Sequence, residues 1–369
     1  MKNARKMTIR KATASYEAWL GEQIPLLKEG LERKHHLMRS GMFPFLRATY
    51  YRWVQLWVQA PQAVRTAKEV LAVGDLHVEN FGTWRDAEGR LVWGVNDFDE
   101  AFRLPYTNDL VRLATSARLA VAEGHLTVNG EVEGAILAGY REGLEAGGRP
   151  FVLAEHWKAL RRMALEQLGH PDKFWDKLGD LPTVAADQIP RSAVKALGEL
   201  LAEGGVNLRY AVREAGLGSL GRQRFVVIAD WCGGKVAREA KALARSASLW
   251  ATEGEGGAKA LYREILDKAV RAQDPFVTVK RRWIARRLAP DCARIELAEL
   301  EKEKEAERLL HAMGWETANV HLGSATAAAL LLDLVSRPDG WLHKAVEEML
   351  TEVREDWEAW KKEAAPAKN

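Results

Sequence analysis

An α+β fold is predicted, with a large helical part and a smaller part built of antiparallel strands. Three observations predict it. Helical patterning dominates near the N-terminus, at residues 16–39 and 45–59, and returns from residue 297 to the end. A short apolar run at 70–73 precedes two strand-like segments, 81–84 and 91–96, that flank a turn. A second β-rich cluster occupies 224–288 and begins with the strand-forming run RFVVIAD.

Taken in order, segment 16–39 reads as helix, and 45–59 more firmly so. The latter sets Leu46, Tyr50, Trp53, Leu56 and Trp57 on one side, a stripe that predicts core packing. After the apolar run 70–73 comes a polar loop, 74–80. The six residues between the next two strands, RDAEGR, contain Asp86 and Gly89, which suit a hairpin turn. Beyond Pro105, residues 107–122 form an amphipathic helix capped by Thr107 or Asn108. Helical signals run on to about residue 168, interrupted by the GGRP sequence at 147–150. The stretch 171–190 is rich in Asp and Pro and reads as a loop or linker. After it come a glycine-rich loop at 216–221, a strand at 224–230, a turn at 231–234 and a short strand at 235–238. A flexible segment at 253–257, a helix at 259–272 and strands at 276–279 and 283–288 complete the unit. The C-terminal helices break near Gly314 and at the PDG sequence 338–340, and residues 364–369 fray. The expected divisions are 1–190, 191–296 and 297–369.

Bulk properties narrow the function. The 369 residues carry 54 basic and 51 acidic side chains, a net charge of +3 that gives no general pull toward nucleic acid or a membrane surface. The basic run KRRW at 280–283, with Arg286 and Arg287, is explained by a strand with one solvated face. Two cysteines, Cys232 and Cys292, exclude a disulfide framework and suit a reducing compartment. No apolar stretch is long enough to span a bilayer, and the basic N-terminus lacks the apolar core of a signal peptide. A cytoplasmic location is therefore expected.

The chemistry is concentrated in two short stretches, GDLHVENF at 74–81 and NDFDE at 96–100. A hairpin between them joins its own two ends, so Asp75, Asn80, Asp97 and Asp99 are expected to converge. Carboxylates that close repel unless a cation or a proton sits among them. Oxygen ligands without cysteine favour a hard divalent ion such as Mg²⁺ or Mn²⁺. His77 reads as a structural hydrogen-bonding residue rather than a ligand. The plainer alternative is that these are ordinary turn aspartates.

The spacing Asp75-x-x-x-x-Asn80 resembles the catalytic loop of protein kinases and aminoglycoside phosphotransferases. The resemblance implies that Asp75 is the catalytic base, that Asn80 and Asp97, with Asp99 beside them, hold metal, and that Asp109 supports the loop. Val73 stands where aminoglycoside phosphotransferases usually carry a histidine. Nothing before Asp75 looks like a nucleotide-covering lobe. The run Gly216-Leu-Gly-Ser-Leu-Gly221 followed by a strand is similar to the kinase glycine loop, whereas a dinucleotide-binding fingerprint follows a strand and opens a helix. The implied fold is a kinase-like, two-lobed one whose order is circularly permuted: catalytic-loop half, nucleotide-covering β lobe, then helices completing the large lobe. Nucleotide would be bound by Gly216, Gly218, Ser219 and Gly221. Either Arg238 or Lys241 would anchor phosphate, with Glu264 as its partner unless that residue is simply on a solvated helix face. Residues 288–292 would be the hinge that reads adenine.

The whole pattern resembles a bacterial family known as domain of unknown function 2252, through residues 43–53, 74–100, 216–221 and 283–297. What the resemblances together imply is an ATP- and Mg²⁺-dependent phosphotransferase with an unidentified, small-molecule acceptor. A nucleotide-binding pseudokinase and an AMP-transferring enzyme are the alternatives.

Overall fold

The computed structural model describes residues 7–128, 130–166, 168, 170–201, 203–252, 261–292 and 303–362. Expectations for 253–257, for the start of a helix at 259, for its counterpart at 297 and for the tail 364–369 fall outside the described residues. The chain is a mixed α+β protein whose strand pairings are all antiparallel among the described residues.

The side chain of Thr8 caps the first helix, Ile9–Gly21, by accepting the Lys11 N–H. The single helix expected over 16–39 is two, Ile9–Gly21 and Lys28–Leu37, parted around Pro25, whose ring cannot continue a helix. Segment 45–59 is likewise Met42–Ala48 and Tyr50–Trp57, which meet at Thr49 with a non-helical ψ of 39°. The five residues of its stripe are all buried in the core.

Two strand pairings frame the acidic stretches. Strands β1 (Glu69–Ala72), β2 (Phe81–Arg85), β3 (Leu91–Val95) and β4 (Phe102–Pro105) follow in order. The β2–β3 hairpin pairs Phe81 with Val95, and its turn is held by Asp86, whose Oδ1 accepts the N–H groups of Glu88 and Arg90. β1 pairs with β4, Val70 opposite Leu104, so the chain leaving residue 100 returns beside the chain that entered residue 73. A short strand β5 (Phe151–Val152) extends the hairpin.

Helix Tyr106–Ala122 begins one residue earlier than expected, with Pro105 as its cap residue. Neither Thr107 nor Asn108 caps it. Thr107 Oγ1 donates to the Val64 carbonyl, and the Asn108 side chain accepts from Trp53 Nε1. The helix is buried nearly all round rather than amphipathic.

Helices Val132–Glu145 and Glu303–His321 cross at two glycines. A Cβ at Gly139 would lie 1.8 Å from the His311 carbonyl oxygen, and one at Gly314 would lie 2.0 Å from that of Ile136. The break expected near Gly314 is therefore absent: glycine there permits close approach of two backbones within an unbroken helix.

Residues 171–190, expected as linker, contain the helix Pro171–Gly179, started by a proline in its first turn, and a 3₁₀ turn at Ala186–Gln188. Helix Arg191–Leu200 then packs under a five-stranded sheet of β6 (Val206–Val212), β7 (Arg224–Trp231), β8 (Gly234–Ala242), β9 (Val277–Lys280) and β10 (Trp283–Leu288). Their spatial order is β6-β7-β8-β10-β9. Trp283 Nε1 donates to Ser192 Oγ and ties helix to sheet. The β7–β8 turn places Cys232 and Gly233 at φ 47° and 81°, the two-residue geometry that matches strand twist. Two differences from expectation matter. β6 is an additional edge strand whose apolar residues Val206 and Leu208 are exposed, although its sequence VNLRYAV alternates. β8 runs to Ala242, well past residue 238. No helix among the described residues is long and apolar enough to cross a membrane.

Candidate functional site

The loop after β1 is held from behind. The Asp109 carboxylate accepts the N–H groups of Val73 at 2.7 Å and Gly74 at 3.0 Å, and His321 Nε2 lies 3.1 Å from it. Gly74 adopts φ 82°, and a Cβ there would strike the Glu100 carbonyl oxygen at 2.3 Å. The next residue, Asp75, is thereby turned into a cleft. Its backbone carbonyl accepts Asn80 Nδ2 at 2.6 Å, and Asn80 N–H donates to the His77 carbonyl. His77 is buried, and its Nδ1 accepts the Glu79 N–H at 3.2 Å, a structural part.

Asp75 Oδ1 accepts both Nε and Nη2 of Arg112, a fully buried arginine one turn beyond Asp109 on the same helix. The Arg112 guanidinium stands 5.0 Å from the Tyr50 ring centre and 4.9 Å from that of Trp53. Burial pushes the Asp75 carboxyl up to about 6, against the opposing pull of Arg112.

At the other end of the hairpin, Asp97 and Asp99 share Lys241. Its Nζ lies 3.1 Å from Asp97 Oδ2 and 2.6 Å from Asp99 Oδ2. Arg222 Nη1 also reaches Asp99 Oδ2 at 3.2 Å, while Nη2 reaches Glu100 Oε1 at 3.3 Å. Burial works to raise both aspartates. Lys241 and Arg286 overcome it at Asp97, which is held low, whereas the neighbouring Asp97 charge adds to burial at Asp99, which is raised. Burial lifts Glu100 to about 7, Arg222 opposing.

The glycine loop closes the cleft. Gly216 takes φ 76° and Gly221 φ 88°, and Leu217–Ser219 forms a single 3₁₀ turn between them. A Cβ at Gly218 would sit 3.0 Å from the Arg47 carbonyl oxygen and 3.8 Å from Asp75 Oδ2. The loop is pinned from the N-terminal side: Leu27 N–H donates to the Gly221 carbonyl, and a Cβ at Gly30 would meet Gly221 N at 2.6 Å. Asp75, Asn80, Asp97, Asp99, Gly218 and Ser219 thus line one small cavity of about 60 Å³. Asp97, Gly216 and Ser219 also line a larger cleft of about 600 Å³ against the five-stranded sheet.

Two expected residues are elsewhere. Arg238 and Lys241 are three apart on β8, so strand alternation sends them to opposite faces. Arg238 donates to the carbonyls of Leu200 and Ala237 and stacks on Phe276; Lys241 alone faces the aspartates. Glu264 does not partner Lys241 either. It pairs with Arg103 at 3.0 Å and, one turn on, with Lys268 at 2.8 Å. In segment 288–292, Leu288 and Cys292 line the larger cleft, but the Asp291 carbonyl is taken by Thr83 Oγ1 and its carboxylate pairs with Arg85.

Sequence reasoning missed Arg112, Arg222 and Glu100. Two of them adjoin a motif, Arg222 directly after Gly221 and Glu100 directly after Asp99, and that adjacency was the available signal; Arg112 lies one helical turn beyond Asp109. Among the described residues no group of three or more His, Cys, Asp or Glu side chains is arranged to hold a metal ion. The acidic and amide side chains lining the cavity are the carboxylates of Asp75, Asp97, Asp99 and Glu100 and the Asn80 amide. One of their oxygens, Asp99 Oδ1, is buried without a hydrogen-bond partner, as a hard cation's ligand would be before the cation arrives.

Residues 26–170 match the sequence model of a family described as an uncharacterized protein conserved in bacteria (DUF2252). That span contains Asp75, Asn80, Asp97 and Asp99 and stops before the glycine loop. No curated protein and no solved structure matches the chain.

Proposed function

We propose that the cleft binds ATP with Mg²⁺ and transfers the terminal phosphoryl group to a small acceptor. The observation that carries this reading is the meeting of Asp75, Asp97 and Lys241 beneath a glycine loop contributed by a distant part of the chain. In the kinase-like, two-lobed fold that it entails, the five-stranded sheet is the nucleotide-covering lobe, placed by circular permutation within 191–296 after the catalytic half. The helices beyond 297 then complete the large lobe.

Each side chain has a role under this proposal. Asp97, Asp99 and Asn80 would hold Mg²⁺, which when bound neutralises charge on phosphate oxygens. Lys241 would then leave the aspartates for phosphate. The loop from Gly216 to Gly221 offers backbone N–H groups to the phosphates and excludes water from above. Asp75, with its carboxyl near 6, would accept the acceptor's hydroxyl or amino proton at neutral pH, and Arg112 holds it in place. The 60 Å³ cavity at Asp75 favours a small acceptor group.

The Arg112–Asp75 ion pair also favours a second reading, a nucleotide-binding module that transfers nothing, because two Arg112 donors already occupy Asp75 Oδ1. Transfer of AMP would use the same residues. Incubation with γ-labelled ATP and a metabolite panel, read by label transfer and intact mass, separates the three. Phosphate and adenylate additions differ in mass, and a chain that binds ATP yet labels nothing supports the binding module.

A further inference from the structure

The larger cleft has an unusual wall. On β8, Glu239 and Lys241 project to one face, and the register sets Glu239 opposite Val226 on β7 and Arg286 on β10, and Lys241 opposite Arg224. Glu239 is 0% exposed, and three guanidinium groups share its carboxylate. Arg224 Nη1 lies 2.7 Å from Oε1, Arg286 Nε lies 3.0 Å from the same oxygen, and Arg213 Nη1 contacts Oε2. Three positive charges on one negative charge leave an excess, which Asp97 offsets only in part at Arg224 and Arg286. Burial alone would raise Glu239, but Arg224, Arg286 and Arg213 hold it well below the usual range, so it stays an anion and a fixed anchor. Arg213 and Arg286 keep 27% and 31% of their side chains open, and both line the cleft. Arg224 Nη2 donates to Ser219 Oγ at 2.8 Å, which joins the cluster to the glycine loop.

We infer that Arg213, Arg224 and Arg286, oriented by Glu239, form an anion subsite that takes a multiply charged phosphate chain. A guanidinium presents a planar fork of donors that matches phosphate oxygens in pairs, and one carboxylate cannot satisfy three forks. A neutral ring in this place would remove water from the guanidinium groups without pairing them. A phosphate chain supplies both the missing charge and the missing acceptors. The subsite goes beyond the transferase proposal, since it would hold an inorganic chain even in a protein that transfers nothing.

Inorganic tripolyphosphate, with neither nucleoside nor metal, is the probe, titrated into the full chain by calorimetry. The unaltered protein should bind it, and binding should weaken as salt rises. Arg213→Gln and Arg286→Gln should each weaken binding about tenfold or more. Arg354→Gln, at an exposed position of helix Trp341–Lys362, should leave it unchanged. Arg286→Lys keeps the charge but loses the fork, so its affinity should fall between those of the unaltered protein and Arg286→Gln. Arg213 lies just beyond the end of β6 whereas Arg286 lies within β10, so the Arg213 variant decides the matter if Arg286→Gln does not fold. Equal affinity across all variants, or heats reproduced by sulfate at matched ionic strength, overturns the subsite. Failure of γ-phosphate transfer with arginine-dependent tripolyphosphate binding intact removes only the transferase reading. Loss of that dependence with transfer intact removes only the subsite.

Discussion

Lys241 Nζ lies 2.6 Å from Asp99 Oδ2, so β8 of the five-stranded sheet and the loop after the β2–β3 hairpin share one buried cation. Lys241 is 6% exposed and Asp99 10%. Attraction between groups this poorly solvated has to offset their desolvation, and removing either partner strands the other.

Lys241→Met should accordingly destabilise the protein by about 3–5 kcal/mol in urea unfolding. It should also abolish any ATP-induced rise in melting temperature, whereas Arg238→Met should lower stability and leave that rise intact. An ATP response lost with Arg238 and kept without Lys241 would reverse the assignment.

Metal dependence follows from the oxygen ligands. ATP should raise the melting temperature only with Mg²⁺ or Mn²⁺ present, since a ligand stabilises the folded state by mass action. Asp97→Ala should remove the shift, and Asp75→Asn should keep it while losing transfer. Identical shifts with and without excess EDTA count against the metal, and full turnover by Asp75→Asn counts against the base.

Glu100 gives a pH test of the cleft in the absence of any ligand. Its carboxyl is raised from 4.5 to about 7 by burial, with Arg222 opposing, so the folded chain holds this proton more tightly than the unfolded one. That contribution is fully present below about pH 4.5 and is lost as pH rises through 7, amounting to about 3 kcal/mol. Relative to Glu100→Gln, the unaltered protein should therefore lose stability between pH 4.5 and 7. Parallel stability profiles for the two proteins over that range would show that Glu100 is not perturbed.

Gly139→Ala tests the helix crossing far from the cleft. The new methyl would overlap the His311 carbonyl oxygen, and neither helix backbone can yield without moving the other. A loss of about 3 kcal/mol or more is expected in chemical denaturation. Gly179→Ala, where a Cβ meets nothing within 4 Å, is the control and should be near neutral or slightly stabilising.

The hairpin that joins GDLHVENF to NDFDE was legible because everything it needs is local: two strand-like runs, and a turn closed by Asp86 and Gly89. The Pro25 break is marked in the sequence by the proline itself, whereas the Thr49 break is not, since apolar periodicity continues across it and only backbone geometry interrupts it. Gly314 misled for the opposite reason. Glycine favours a break in an isolated helix, yet here it is the one residue small enough for the Ile136 carbonyl to approach.

The sequence by itself determined the α+β character, the core stripe and the acidic stretches, because helical period, strand period and turn chemistry act within a few residues. It also named the glycine loop without saying what the loop covers. Only the tertiary structure decided that the loop lies over Asp75, that Lys241 rather than Arg238 faces Asp97, and that Glu264 belongs to Arg103. Alternation would have separated Arg238 from Lys241 had the length of β8 been known, but the strand persists to Ala242 because β7 and β10 pair with it on either side. Arg213, Arg224 and Arg286 come together on Glu239 for the same reason. Their convergence is set by sheet register between segments far apart in the chain, and no local pattern encodes it.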